Sequence, residues 1–541
     1  MVIKILNILG NILLRPFREH FVFLIIFFIL ATSCYIIRHL VIEINLIAAF
    51  TTAIHCFNIS YIVTLLIGLI RPNALRNTVQ GVLIALAAID FALNFYCICQ
   101  LKYFFDADIA LLILETDSNE AREFVSAMIP KWIVLTEIAI YLFVLFLWWL
   151  STRSNFNLGR KTSMMALGLI VLCIAVNLYC WNVWRDGPIA RFSEIPQYDV
   201  PSDLNTYYSH PQLSFKENNH FPANVVVIIG ESFARNHSSL YGYDKLTNPK
   251  LTELKNNSSL FTFDSISSPA TTTAISIRDM LSIFNQSDES NKEKKWYEYP
   301  SLIELMQVCG YDCYWFGNQA CANKNNGTAR SFAYACDRRW FLQKEGVEET
   351  NDRYDIILVD TSYQYINMLS SEKNHFIIYH MLGSHFNYRM RYPKEFAIFT
   401  ENDYQKDPQN HREILSSYDN SILYNDYVVG RIINMFKETE SVIIYLPDHG
   451  QVMYRNSNNP DYYAHGRDND PLSYALGIDI PFFVYASPLY QQKHPEMMER
   501  IKYRQDNPKT WNSDNLPYFI MDLIGVKEIN GENIKSKSVL N

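Results

Sequence analysis

Almost all the long uncharged apolar runs of this 541-residue chain lie before residue 185, and this asymmetry limits the fold more than any other feature. Segments 21–37, 44–70, 79–100, 133–150 and 163–181 each approach or exceed the roughly 18 residues that cross a bilayer. They predict five transmembrane helices. A cleavable leader is not expected, because the first run is long and others follow it. His55, Asn58 and Asp90 interrupt the second and third runs. At that depth polar groups face other helices or a cavity, and helix-packing hydrogen bonds are the simpler reading.

Basic residues set the orientation. Arg15 and Arg18 precede the first run, Arg71 and Arg76 follow the second, and Arg153, Arg160 and Lys161 lie between the fourth and fifth. These segments are expected in the cytoplasm, which puts the C-terminal half outside after an odd number of crossings. The segment between the third and fourth runs has the opposite sign, with Asp106, Asp108, Glu115, Asp117, Glu120 and Glu123. A net charge of −8 argues against a nucleic-acid partner, which would need a basic face. Four of the ten cysteines, Cys309, Cys313, Cys321 and Cys336, fall in the exported half. Disulfides suit an oxidising compartment, and the pairs Cys309–Cys313 and Cys321–Cys336 are the expectation among three connectivities.

The length suits two or three domains. The reading is a five-span domain over 1–184, a proline-interrupted linker along the membrane surface over 185–221, and an exported domain over 222–541. In the last part, short apolar runs bounded by turn residues alternate with helical patterns. Strands are expected at 225–229, 311–316, 355–359, 376–379, 442–446 and 480–485, with helices at 301–308 and 418–436 between them. Such alternation implies an α/β/α sandwich around a mostly parallel sheet.

Three of these strands end on groups that bind metals. The first runs into Gly230-Glu231, the fourth leads through His380 to Gly383-Ser384-His385, and the fifth ends in Asp448-His449-Gly450. Ligands collect beyond the carboxyl ends of strands in open α/β sheets. Glu231, His385, Asp448, His449 and His465 together make a donor set suited to zinc and to anionic substrates. Singly, each has a plainer reading as a strand-ending turn or a loop histidine. A nucleophile is available in Thr271-Thr272-Thr273, just before a helical pattern at 277–284, where a helix N-terminus favours anions. Plain N-capping by Thr271 or Thr272 is the other reading.

These residues resemble the membrane-anchored phosphoethanolamine transferases of the sulfatase and alkaline phosphatase-like superfamily. The likeness covers nearly the whole chain. Its motifs are Gly230-Glu231-Ser232 with Arg235 and Tyr241-Gly242-Tyr243, the segment from Thr271 to Ser276, Gly383-Ser384-His385 with Arg391-Tyr392-Pro393, Tyr418-Asp419-Asn420-Ser421-Ile422, Asp448-His449-Gly450 and His465-Gly466.

The resemblance implies a periplasmic catalytic domain on a bacterial inner-membrane anchor, acting as a monomer on membrane lipids. It implies that Glu231, Asp448, His449 and Thr273 hold one zinc ion, with a second ion an alternative. Thr273 would be the nucleophile, and His385 and His465 would bind substrate and assist catalysis. His380, Asn318, Thr116 and Glu120 would bind substrate. The chain departs from lipid A-modifying members at Pro269 and Asp279, where a cysteine pair is expected, at Leu112 in place of asparagine, and in the spacing of Lys324. The implied reaction moves phosphoethanolamine from phosphatidylethanolamine to a glycolipid, lipid A or the lipopolysaccharide core, through phospho-Thr273. A lipoteichoic-acid-type phosphoglycerol transferase, a sulfatase, which Thr273 disfavours, and a non-catalytic scaffold are the alternatives.

Overall fold

A computed structural model describes residues 8, 10–42, 44–101, 104–105, 109, 121, 125, 129–153, 158–179, 211–215, 221–284, 295–319, 327–342, 354–369, 372–455, 457, 460–466 and 470–541. The chain divides into two compact units. The first holds helices α1 (Phe21–Ile37), α2 (Leu46–Gly68), α3 (Asn73–Tyr96), α4 (Lys131–Arg153) and α5 (Arg160–Tyr179). Among the described residues, four helices, α1 to α4, are long and apolar enough to cross a membrane. Helix α5 lies where the fifth span is expected, and the end of that span at Trp181 falls outside the described residues. Of the polar interruptions, Asp90 is bonded within its own helix. Asn94 donates to the Asp90 carboxylate at 3.2 Å one turn away, and Tyr141 of α4 donates to the Ala88 carbonyl of α3 at 2.8 Å.

The second unit is built on a seven-stranded sheet: β1 (Asn224–Gly230), β2 (Leu260–Phe263), β3 (Tyr311–Gly317), β4 (Arg338–Phe341), β5 (Asn374–His380), β6 (Ser441–Pro447) and β7 (Phe482–Ala486). Their spatial order is β2-β7-β6-β1-β5-β3-β4. The pairs joining β6, β1, β5, β3 and β4 are parallel, whereas β7 runs antiparallel to both of its neighbours, so the sheet is mixed. Every residue of β1 and β6 is buried. Alternate side chains feed two cores, as the period of two requires. Val225, Val227 and Ile229 pack with α7 (Thr273–Met280) and α8 (Leu302–Val308), while Val226 and Ile228 pack with α10 (Gln409–Phe436) through Tyr418, Ile422, Val429 and Ile432.

Three sequence expectations are corrected. Segment 355–359 is not a strand but the start of helix α9 (Ile356–Ile366). Leu358, Val359 and Ser362 are buried while Ile357 and Tyr363 are exposed, a helical stripe that five apolar residues cannot distinguish from a strand. Edge strands β2 and β4 were not anticipated; β4 carries exposed Arg338 and Arg339, which hide the strand pattern. Cys309, Cys313 and Cys336 are free thiols. The Cys313 thiol points into the core toward the Ile303 carbonyl and that of Cys336 toward Phe332, so neither expected disulfide forms. Cys321 lies outside the described residues, as does most of the 185–221 linker. Leu213–Phe215, from its end, pairs antiparallel with Val526–Ile529.

Buried Asp426 of α10 accepts the Lys250 and Leu251 amides, both at 2.9 Å, at the start of α6 (Pro249–Asn256). Burial outweighs these bonds and holds its carboxyl up at about 7. Between about pH 4 and about pH 7 the folded chain therefore keeps a proton that the unfolded chain has released, and stability falls as pH rises through that window. The Asp426→Asn variant lacks this loss. Its unfolding temperature, relative to that of the wild type at the same pH, is expected to climb across the window, measured on the full chain in detergent.

Candidate active site

The register pairs Gly230 with Pro447, so Glu231 and Asp448 leave neighbouring strands side by side. Ser232, at a φ of +52°, turns the chain sharply. Its amide donates to Asp448 Oδ1 at 3.1 Å and its hydroxyl to Glu231 Oε1 at 2.7 Å. The His449 amide also donates to Asp448 Oδ1, at 2.7 Å. Among the described residues, Glu231, Asp448 and His449 form the one group of three acid, imidazole or thiol side chains whose ligand atoms lie within 4.8 Å of one another. All three are fully buried.

The electrostatics of this group call for a cation. His449 Nδ1 lies 2.7 Å from the Gly450 carbonyl, which can only accept, so Nδ1 carries a hydrogen and Nε2 is the ring atom that faces the two acids. That Nε2 is 3.4 Å from Glu231 Oε1 and 3.5 Å from Asp448 Oδ2. Asp448 Oδ2 and His449 Nε2 are buried with no hydrogen-bond partner. Burial, then repulsion from Glu231, pushes the Asp448 carboxyl up to about 8. Burial alone would lower the His449 imidazole, but the Asp448 and Glu231 carboxylates hold it up at about 9. Two carboxylates and one imidazole turned on each other fit a divalent ion with zinc's donor preference.

Thr273 opens helix α7, four residues earlier than the sequence pattern suggests. Thr272 is the N-cap in extended conformation without a side-chain cap bond, and Thr271 donates instead to the Gly466 carbonyl at 3.1 Å. Neither threonine caps the helix with its side chain. Thr273 Oγ1 donates to Glu231 Oε2 at 3.3 Å, so its hydroxyl stands at the edge of the acidic group.

The histidines approach from separate elements. His380 ends β5, buried, with its imidazole pushed down to about 4 by burial against the opposing pull of Glu231. It is therefore neutral at physiological pH. His385 Nδ1 faces the Phe386 carbonyl at 2.7 Å, which leaves Nε2 as its other face. The His465 ring sits 4.6 Å from that of His449 at a steep angle. The turn before His385 needs glycine: Gly383 has a φ of +50°, and a Cβ there would stand 2.7 Å from the Glu231 amide nitrogen.

Several motif residues brace the site. Asn318 is buried, and its amide donates to Asp355 at 2.8 Å rather than toward the acidic group. Asp355 also accepts the Leu382 and Gly383 amides at 2.9 and 2.7 Å, tying the turn before His385 to the start of α9. Tyr418 bridges the Ser232 carbonyl and the Ala234 amide, and Ser421 bonds Ser384 at 2.9 Å. Arg235 pairs with Asp479 at 2.7 Å, and Tyr241 bonds the Phe482 backbone. Asp279, where a cysteine is expected, pairs with Arg278. Sequence reasoning missed Gln319, whose amide reaches Glu231 Oε2 at 2.8 Å; its place just past the end of β3, on the metal edge, was the available signal. Thr116, Glu120, Leu112 and Lys324 lie outside the described residues.

Comparison with known proteins agrees with this architecture. The sequence model of the Sulfatase family matches residues 223–526. The phosphoethanolamine transferase EptC of Escherichia coli (strain K12) is 27% identical over 451 residues, which cover 78% of this chain and 75% of that protein. The crystal structure of the C-terminal periplasmic domain of E. coli EptC in complex with zinc superposes with a TM-score of 0.54 at 26% identity, covering 61% of this chain and 90% of that one. The integral membrane lipooligosaccharide phosphoethanolamine transferase A of Neisseria meningitidis shares the fold, with a TM-score of 0.66 at 17% identity over 93% of this chain and 95% of that one.

Proposed function

The chain belongs to the sulfatase family, and from that premise we propose that it transfers phosphoethanolamine from phosphatidylethanolamine to an envelope glycolipid, lipid A or the lipopolysaccharide core. One observation carries the reading: the Thr273 hydroxyl stands 3.3 Å from Glu231 inside the Glu231-Asp448-His449 group. Resemblance to proteins named phosphoethanolamine transferase supports the group transferred.

Thr273 Oγ attacks the donor phosphorus, and the bond from phosphorus to the diacylglycerol oxygen breaks. The hydroxyl proton leaves toward Glu231 Oε2, the acceptor it already faces. His465 supplies a proton to the diacylglycerol oxygen, and His385, through Nε2, neutralises charge on the transferring phosphoryl oxygens. An acceptor hydroxyl on the glycolipid then displaces Thr273 in a second in-line step, its proton passing to His465 while the proton held by Glu231 returns to Thr273 Oγ. Zinc held by Glu231, Asp448 and His449 would contribute Lewis-acid stabilisation of the developing negative charge. His380, Thr116 and Glu120 complete the proposed substrate contacts. Asn318 acts behind them through Asp355.

On this reading the helices of the first unit anchor the enzyme in the bacterial inner membrane, where both lipids reside, and the catalytic unit lies in the periplasm. The test is incubation of the purified full chain with headgroup-labelled phosphatidylethanolamine, with phosphatidylglycerol in parallel. Diacylglycerol release and label on the protein are expected with the first lipid. Release from phosphatidylglycerol alone would replace this proposal with phosphoglycerol transfer, and release from neither would leave a non-catalytic scaffold.

A further inference from the structure

Gln319 occupies the loop just past β3, and its side-chain nitrogen makes two hydrogen bonds: to Glu231 Oε2 at 2.8 Å and to the Met381 carbonyl at 3.0 Å. A backbone carbonyl only accepts, so the nitrogen, not the oxygen, of the amide is the atom that faces both partners. Met381 is itself fixed, its amide donating to the Ile229 carbonyl at 2.9 Å. The Gln319 amide is thus anchored on the backbone that joins β5 to β1, the strand that delivers Glu231.

The two oxygens of Glu231 are thereby distinguished. Oε2 accepts from Gln319 and from Thr273, whereas Oε1 accepts from the Ser232 hydroxyl and lies 3.4 Å from His449 Nε2. The terminal torsion of a glutamate is broad and nearly two-fold, so without these donors the carboxylate would rotate. We infer that Gln319 is a positioning residue for the metal site, fixing the Glu231 carboxylate so that Oε1 is the oxygen presented beside His449 and Asp448. Partners of this kind orient ligating carboxylates, and their loss costs about 10- to 100-fold in metal affinity. The inference rests on the metal-site reading above and adds a residue that neither the motifs nor the family likeness assigns.

The test is zinc affinity of the full chain in detergent, by competition with a chromophoric chelator, beside the unfolding midpoint of the metal-free protein. Gln319→Met keeps the length and loses both donors. Its zinc Kd is expected to rise about 10- to 100-fold with the metal-free midpoint unchanged. Gln319→Glu keeps the shape but sets an acceptor against Oε2, and it too should bind zinc more weakly than wild type. A Kd within twofold of wild type for Gln319→Met overturns the role. Tighter binding by Gln319→Glu does the same, because the side chain would then be reaching the cation itself. A fall in the metal-free midpoint that accounts for the lost affinity would reassign Gln319 to folding. A wild type that binds no zinc overturns the metal reading itself, a result distinct from wild-type binding that Gln319→Met leaves untouched.

Discussion

Thr273→Ala is expected to lower phosphoethanolamine transfer by at least about a thousandfold, as removal of a covalent nucleophile does elsewhere. Zinc should still bind within a few-fold, because Glu231, Asp448 and His449 remain. The fold should also survive. Thr273 is only partly buried at the first position of α7, alanine is the best helix former, and the preceding residue caps through its extended backbone, not its side chain. The decisive readout is intact mass. Wild type exposed to phosphatidylethanolamine should carry one phosphoethanolamine group when no acceptor is supplied, and the alanine variant none. Thr273→Ser keeps a hydroxyl at the same place and should recover both adduct and turnover in part. An adduct on the alanine variant would move the nucleophile elsewhere, with Thr272 the neighbour to examine.

The second large effect is metal removal, and it should split stability from activity. Chelation is expected to abolish transfer and lower the unfolding midpoint. A ligand present at a thousand times its Kd stabilises by about 4 kcal/mol, which stripping removes. What is left behind is a buried pair of acids, with Asp448 pushed up to about 8 by burial and by Glu231. Asp448→Asn relieves that repulsion while keeping an oxygen for the Ser232 and His449 amides. The metal-free asparagine variant is therefore expected to unfold above metal-free wild type, by about 1–2 kcal/mol or a few degrees. In saturating zinc the order should invert, because only the wild type keeps the full ligand set. The variant should be inactive under both conditions. If it were less stable than wild type without metal, the argument that these acids strain the empty protein would be wrong.

The parts of the site that were legible in the sequence share one property: each is attached to the end of a buried strand. β1, β5 and β6 are unbroken apolar runs, and Glu231, His380 and Asp448 follow from where those runs stop. The threonine segment 271–273 was legible because a helical pattern follows it, and the family resemblance singled out Thr273. Less legible were residues whose partners are distant. Arg235 and Tyr241 read as motif residues near the chemistry, yet they hold Asp479 and the Phe482 backbone. Asp355 read as the first residue of a strand, whereas it receives the Gly383 amide across 28 positions. The expected disulfides failed on side-chain direction. Cys309, Cys313 and Cys336 are buried in one core, but spacing does not say which way a thiol turns: that of Cys313 turns to the Ile303 carbonyl and that of Cys336 to the Phe332 carbonyl.

The sequence by itself determined the apolar helices of the first unit, the central strands of the second, and the strand ends at which acid, imidazole and hydroxyl groups gather. Those features come from the periodicity and length of contiguous segments, which act over a few residues. Only the tertiary structure decided which oxygen of Glu231 faces His449, which amide supports it, and that Asn318 turns to Asp355 while Gln319 turns to Glu231. The Gln319 bond spans 88 positions, and buried polar groups take whichever partner the packed sheet brings within reach.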